Sequence, residues 1–493
     1  MKRIVIIGAG LGGLTAGCLL AIKGHKVTIF EAHTSPGGYT AGFRRKGFYF
    51  ESGTLAFESS REVFALMKEI GVYDDIDFIR HHTRMILGDA ECTTESYEHF
   101  KTTLINAFPG ERAELTAYFK ETDKMYRAIA PFILDGKKGI AKVVSSLAAG
   151  IRMASIHKKY GRLTSGEFTG RYFSKDSPLY SLFNQIGYPD MSASITGGAF
   201  ATIFEDYWRV KQGMGHWADV LAARFSSAGG QLKTGSRIDA IVTKEGRAAG
   251  VVCNGVAHDA DAVISACDYK KTFMSLLDDR TLVPQALAEK IAAAGVSEGV
   301  FTVYLGLNIA GEELERHMKI PHVMVMKSAR HIDAQSSVEP DFFTLCSFLL
   351  FSPSLENPGL APKGKSSLMI QAVCPHKWMN DWGGGDRSEY ERLKTSVMET
   401  LIDKAGQVIP GLRLRIEVKD AATPRTYERY TGNTDGATSA WSWNPHNMFH
   451  KNFLGTFVDT PVKNLYIGSC WAAQIGGVPG ALGAARRCSK AIG

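Results

Sequence analysis

The most ordered hydrophobic pattern lies at the amino end. After the basic start Met1-Lys2-Arg3, the stretch from Ile4 to Ile22 runs 19 residues without a charged side chain. That length would suit a membrane span or a secretory leader, but its internal order argues against both. Ile4-Val5-Ile6-Ile7 is a short β-branched run that predicts a strand. Gly8-Ala9-Gly10-Leu11-Gly12-Gly13 predicts a tight turn, residues 14–23 a helix, and Gly24 its end. Lys26-Val27-Thr28-Ile29-Phe30 predicts a second strand, closed by Glu31.

A strand, a GxGxxG turn, a helix and a second strand ending in an acid form a dinucleotide-binding unit. Gly8 permits the turn out of the strand. Gly10 leaves room for a pyrophosphate against the backbone, and Gly13 lets the helix pack closely on the strand. The helix N-terminus offers free N–H groups and the positive end of its dipole. Glu31 is placed to accept ribose hydroxyls, and an acid there disfavours a 2′-phosphate, so NADP is not expected. Thr34-Ser35-Pro36-Gly37-Gly38 follows closely. A second glycine pair would bring more backbone amides to a long diphosphate, which points to FAD as the cofactor.

These stretches, with Gly47-Phe48-Tyr49-Phe50-Glu51-Ser52-Gly53, resemble the amino-terminal region of phytoene-desaturase-like flavoproteins: carotenoid desaturases, carotenoid isomerases and retinol saturases, which share the amine-oxidase-type FAD fold. The family often has Arg where this chain has Tyr39, and Asp where it has Glu51. The resemblance continues through residues 105–118 (INAFPGERAELTAY), Gly213-Met214, Gly229-Gly230-Gln231-Leu232, Ser236 to Ile241 and Asp261 to Ala266. It extends through Thr423-Pro424, Glu428, Thr431-Gly432 and Gly436-Ala437 to Asn464-Leu465-Tyr466-Ile467-Gly468 and Gly476-Gly477-Val478-Pro479-Gly480-Ala481. Ser469 stands where the family usually has Asp, which weakens the expected contact to the ribityl chain. The resemblance implies FAD contacts at Gly8, Gly10, Leu11, Gly12, Gly13, Glu31, Ala32, Gly37, Gly38, Tyr39, Gly53 and Thr54. It implies others at Arg237, Ile238, Ser265, Gly468, Ser469, Gly476, Gly477 and Val478. No metal is expected.

The implied fold is α/β, of the amine-oxidase/phytoene-desaturase type. A discontinuous Rossmann-like FAD-binding domain takes residues 1–70, 215–270 and 455–493, and an α+β substrate-binding domain takes 71–214 and 271–454. A strand over 465–468 should end in a glycine loop, and a helix over 481–492 should begin just after Pro479-Gly480 and face the pyrimidine end of the flavin. No second GxGxxG follows a strand, so no built-in NAD(P) domain is expected. The electron donor or acceptor is therefore open: oxygen, a quinone or a separate reductant.

Composition narrows the picture. With 493 residues, 45% hydrophobic and 22% charged, the chain exceeds any single small module and is neither disordered nor polytopic. Its 51 glycines are just over 10%, against a usual level of about 7%. The net charge of +7 is modest, and no nucleic-acid-binding motif accompanies it. The eight cysteines show neither CxxC pairing nor metal-ligand spacing, which fits reduced thiols and a cytoplasmic location. Residues 137–162 hold seven basic residues (Lys137, Lys138, Lys142, Arg152, Lys158, Lys159, Arg162) and no acid, with Ile140, Val143, Val144, Leu147 and Ile151 at helical spacing. That pattern is a candidate for lying on the inner face of a membrane, or an ordinary surface helix packing its apolar stripe on the core.

The expected function is an FAD-dependent oxidoreductase that desaturates, saturates or isomerises a carbon–carbon bond of an apolar isoprenoid, carotenoid-like or other lipid. One alternative is an amine-oxidase-like enzyme oxidising a C–N bond. Another is a flavin-bound lipid-binding protein without turnover. Candidate acid–base residues are Glu205, Asp206 and Tyr207, just before Gly213-Met214; a surface pair beside a turn is the other reading. His216 reads as structural. Trp441, Trp443 and His446 line either a substrate pocket or the core.

Overall fold

The computed structural model describes residues 1–134, 139–188, 190–326, 332, 334–451 and 455–493, and of 131–134 and 139–146 the backbone only. Two sheets organise it. One is five-stranded and wholly parallel. Its strands are β1 (Arg3–Ile7), β2 (Lys26–Phe30), β5 (Gln231–Lys233), β6 (Ala262–Ser265) and β12 (Leu465–Ile467), in the order β12-β6-β1-β2-β5. The other is seven-stranded. Its strands are β3 (Arg84–Leu87), β4 (Ala90–Thr93), β7 (Gly299–Leu307), β8 (His322–Met326), β9 (Phe348–Phe351), β10 (Ser366–Cys374) and β11 (Ile416–Ala422), in the order β11-β7-β10-β9-β8-β3-β4. It is antiparallel except where β8 runs parallel to β3.

The parallel sheet draws its strands from residues 3–30, 231–265 and 465–467, so the chain leaves it and returns twice. β1 is covered on both faces, and that is why it reads as an unbroken apolar run rather than an alternation. Helix α1 (Leu11–Ile22) is apolar all round for the same reason: it packs against β2, against α3 (Met214–Ser227) and against α5 (Gly477–Ile492). This central position excludes a membrane span for residues 4–22. Two sequence expectations shift. α1 begins three residues earlier than expected, inside the glycine turn. α5 begins at Gly477 rather than 481, so Pro479 lies within its first turn, where its missing N–H leaves no intrahelical bond unmade.

Backbone closeness explains two of the glycines. A Cβ on Gly13 would collide with the Gly8 carbonyl, and one on Gly12 with the Gly468 carbonyl. The amino- and carboxy-terminal glycine turns are thus pressed together at the top of the sheet.

Glu51 also ties distant segments. It is buried, and its carboxylate accepts the Met214 N–H at the start of α3 (3.0 and 3.1 Å) and the Tyr49 hydroxyl proton (2.8 Å). The Gly215 N–H donates to the Tyr49 oxygen at 3.1 Å. Burial holds the Glu51 carboxyl up at about 7 despite these donors. The family-type Gly47–Gly53 segment therefore caps the helix at which the chain re-enters the first sheet. Phe48 and Phe50 of this segment pack under the second sheet with Val300, Tyr304 and Met369.

α2 (Gly139–Tyr160) and the preceding helix Arg112–Leu134 lie beyond the β3–β4 edge of the second sheet with Thr196–Glu205. Lys137 and Lys138 of the basic stretch lie outside the described residues, as do the side chains of Ile140, Lys142, Val143 and Val144. In the described part of α2, Leu147 and Ile151 are each 66% exposed, and Arg152 and Lys158 are exposed beside them. No helix among the described residues is long and apolar enough to cross a membrane.

Gly13→Ala is expected to destabilise the fold by about 3 kcal/mol or more, because the added methyl meets backbone rather than a movable side chain. A thermal melt would show the fall. An unchanged midpoint would mean the turn is looser than the packing implies.

Candidate active site

A cavity of about 940 Å³ runs between the top of the parallel sheet and the face of the second sheet. Its first end is built from glycine turns. Gly10 is the N-cap of α1 and supplies no side-chain cap, and a Cβ there would meet nothing within 4 Å, so the space before it is open. Gly37 and Gly38 lie directly against that turn, with the Gly37 N–H donating to the Ala9 carbonyl at 2.8 Å. Gly37 sits at φ +122°, a region that favours glycine. Glu31, 8% exposed, closes β2; its carboxylate accepts the N–H groups of Ala9 (2.7 Å) and His33 (2.9 Å). Arg237 and Ile238 line the wall beside it, the preceding Ser236 N–H donating to the Glu31 carbonyl at 2.7 Å.

The second helix end comes from the other terminus. α5 starts at Gly477 after Gly476, again without a side-chain cap, and Gly476, Gly477 and Val478 line the cavity. Two helix N-termini with unsatisfied N–H groups therefore open into one space.

Most residues expected to contact the cofactor do reach this cavity. Gly8, Gly10, Leu11, Gly12, Glu31, Ala32, Gly37 and Gly38 line it, as do Tyr39, Gly53, Thr54, Arg237, Ile238 and Ser469. Three do not. Gly13 and Gly468 serve packing: a Cβ on Gly468 would collide with Ile264. Ser265 is fully buried in β6 and bonded to Thr272 Oγ1 at 2.7 Å. Ser469 reaches the wall, but its hydroxyl donates to the Cys267 carbonyl at 2.8 Å. Tyr39, at the usual Arg position, sends its hydroxyl to the Gly436 carbonyl (2.7 Å) and stacks on Tyr427 (5.5 Å).

The acid–base trio separates. Glu205 points to solvent at the end of its helix and is off the cavity wall. Asp206 is buried, but both oxygens are engaged: Oδ2 accepts the Ser60 N–H (3.1 Å) and Oδ1 the Trp208 indole N–H (2.8 Å). It is a structural carboxylate. Tyr207 alone of the three lines the cavity. Trp443 lines it too, edge-on to Tyr188 at 4.3 Å, whereas Trp441 is core and His446 is exposed. His216 is structural, at 3.1 Å from the Asp75 carbonyl.

Two carboxyls that pattern reading missed stand in the cavity, Glu58 and Glu298. Glu298 lies one residue before β7; its Oε1 accepts the Thr438 hydroxyl at 2.7 Å. Glu58 Oε1 lies 3.7 Å from where a Cβ on Gly477 would be, beside the first turn of α5. Burial raises both to about 7. Tyr188 completes this end, its hydroxyl 2.5 Å from Ser439 Oγ. The only sequence signal for Glu298 is a single charge opening the otherwise apolar run Gly299–Leu307.

Beyond them the floor is aliphatic. Val300 and Val373 are paired across β7 and β10, and Gln371, Leu349, Met324 and Met85 form one row across β10, β9, β8 and β3. The cavity is thus polar and amide-lined at one end and a flat apolar slot at the other, with two carboxyls at the join.

Known proteins fit this anatomy. Residues 11–493 match the family described as flavin containing amine oxidoreductase. The 4,4′-diapophytoene desaturase (4,4′-diapolycopene-forming) of Methylomonas sp is 26% identical over 91% of this chain and 89% of its own. The chloroplastic prolycopene isomerase of Daucus carota is 24% identical over 95% of this chain and 77% of its own. Among solved structures, wild-type putrescine oxidase bound to putrescine superposes with a TM-score of 0.66 at 14% identity, covering 100% of this chain and 98% of that one. That likeness concerns the fold alone. The chain belongs to the flavin-containing amine oxidoreductase family.

Proposed function

We propose that this protein binds FAD and acts on a carbon–carbon bond of a long apolar isoprenoid. The observation that carries the reading is the cavity's division into an amide-lined end and an aliphatic slot, with Glu58 and Glu298 at the join. The two relatives named for carotenoid desaturation and isomerisation support the same substrate class.

The residues present fit the cofactor. Open space before Gly10 and the uncapped start of α1 suit a diphosphate, and Gly37-Gly38 add amides beside it. Glu31 suits ribose hydroxyls once it exchanges a backbone partner for them. Arg237 and Ile238 would wall the adenine side, and the free N–H groups of α5 would serve the pyrimidine end. Bound there, the flavin supplies hydride chemistry. The chain's own groups do the rest. Val300, Val373, Leu349, Met324 and Met85 hold an apolar chain flat and exclude water. Glu298, titrating near neutrality, is poised to take a proton from a carbon of that chain or to return one.

A second reading rests on the same carboxyls. Two acids among Tyr188, Tyr207 and Trp443 would also receive a cationic amine. The one lysine on the described wall, Lys271, pairs with Glu428 at 3.6 Å, so a lysine relay has no free member there.

Anaerobic mixing separates the two. Loss of the oxidised flavin absorbance with an added polyene, and not with alkyl diamines, is the expected result. Reduction by the amine alone overturns the proposal. Gly10→Ala is expected to leave the melting temperature nearly unchanged while lowering the flavin-to-protein ratio at least about tenfold at limiting FAD, since the new methyl meets only the cofactor's space.

In the desaturating direction the rate should rise with pH through about 7, because only ionised Glu298 accepts a proton and its carboxyl is held up by burial. Glu298→Gln should flatten that limb and lower the rate by about 10²–10⁴. An unaltered profile would remove Glu298 from the chemistry.

Apolar substrate has a surface route at α2. Leu147 and Ile151 face outward beside Arg152 and Lys158, while Met153 of the same helix reaches the cavity wall. We expect the protein to pellet with anionic vesicles and Arg152→Glu/Lys158→Glu to reduce this severalfold; equal pelleting would assign α2 to ordinary packing.

A further inference from the structure

A second polar cluster lies on the cavity wall, across the second sheet from Glu298. His81, Thr83 and His322 all line it, at 1%, 4% and 6% exposure. His322 opens β8, on the same face as Met324 two residues on. Its Nδ1 is approached by His81 Nε2 (3.1 Å) and by Thr83 Oγ1 (2.7 Å), and the two rings are 4.5 Å apart. Tyr207 stands edge-on to His81 at 5.0 Å.

The cluster is incompletely satisfied by the chain. His81 Nδ1 is buried with no hydrogen-bond partner, and His322 bonds through Nδ1, which leaves its Nε2 to the slot that the ring lines. Burial holds both rings neutral, His322 down to about 3 and His81 well below its usual value, with the Arg209–Glu356 ion pair nearby. A neutral imidazole carries one donor and one acceptor nitrogen. With Nδ1 of His322 committed, Nε2 keeps the complementary role and lies at the slot. A hydrocarbon filling the slot would seal Nε2 of His322 away from any partner, which is costly, whereas a ligand oxygen would pair it.

Building on the reading of the slot as an isoprenoid site, we propose that the substrate is an isoprenoid bearing oxygen at one end, a hydroxyl or carbonyl, which hydrogen-bonds His322. A pure hydrocarbon leaves the pair unsatisfied, and a carboxylate would favour imidazolium where burial and Arg209 oppose it. β8 lies three inter-strand steps from β7, so the oxygen sits roughly 14 Å from the strand that follows Glu298. The reacting bond is thus well removed from the polar end, toward Glu298.

The test titrates flavin-loaded protein with retinol and with axerophthene, the same polyene lacking the hydroxyl, following quenching of tryptophan fluorescence, to which Trp443 on the cavity wall contributes. Retinol is expected to bind at least about tenfold more tightly. His322→Phe should erase that preference while leaving axerophthene within about twofold, and His322→Gln should restore part of it. Flavin content and melting temperature of each variant report whether it folds. Equal binding of the two polyenes by wild type, or equal weakening of both in a folded His322→Phe, overturns the oxygen-bearing end and leaves the isoprenoid slot standing. Binding of neither polyene overturns the slot itself, and this inference with it.

Discussion

Backbone N–H groups at the first turns of α1 and α5 face a common space, and no side chain of either N-cap satisfies them. Everything else in the molecule is arranged around that unmet demand. Bringing two helix starts so close requires the turns leading into them to interlock, which is why the carbonyls of Gly8 and Gly468 lie where Cβ atoms of Gly13 and Gly12 would be. It also requires the first sheet to be assembled from three stretches, because β12 and α5 come from the far end of the chain. The elements between them are free to build something different, a broad sheet whose face toward the cavity is mainly aliphatic.

The cavity's two carboxyls gather at the seam between these two halves. Glu58 comes from the segment linking the first unit to the second, Glu298 from the residue just before β7, and Tyr188 from the turn that follows the helix Pro178–Gln185. Three remote stretches of chain meet around one small volume from which water is largely excluded, and that exclusion shifts both carboxyls toward neutrality. Asp206 is buried nearby, with both oxygens held by donors of the fold.

Local order was legible wherever it is dictated by neighbours in sequence. The strand, turn, helix and strand of residues 3–30 could be read because β-branched runs and glycines act over a few positions, and the second glycine pair was legible for the same reason. The far terminus was readable from its Pro-Gly context, though α5 starts earlier than Pro479 suggested. What could not be read depends on tertiary placement. Glu205 and Asp206 sit beside a family-like motif, and proximity in sequence suggested a role that a single helix turn removes: one points out to solvent and the other into a capping network. Glu298 shows only as a lone charge before an apolar run, and His81 and His322 carry no local signature, because their significance comes from how β7, β8 and β3 are brought side by side, which no periodicity encodes.

The bond between Glu51 and the start of α3 bears on how the molecule is made. A growing polypeptide emerging from the ribosome can form β1, α1 and β2 early, but α1 keeps one flank bare until residues 477–492 arrive, and β6 lacks its outer neighbour until 465–467 do. Glu51 and Tyr49 fasten the mid-chain return to the early segment first, so the half-built sheet is held in register across more than two hundred further residues of synthesis. The cavity end that both glycine turns build is then complete only once the last residues are in place. A chain released short by even its final helix would emerge with an exposed apolar α1 and no closed cradle, marking it for the proteolytic machinery rather than for service.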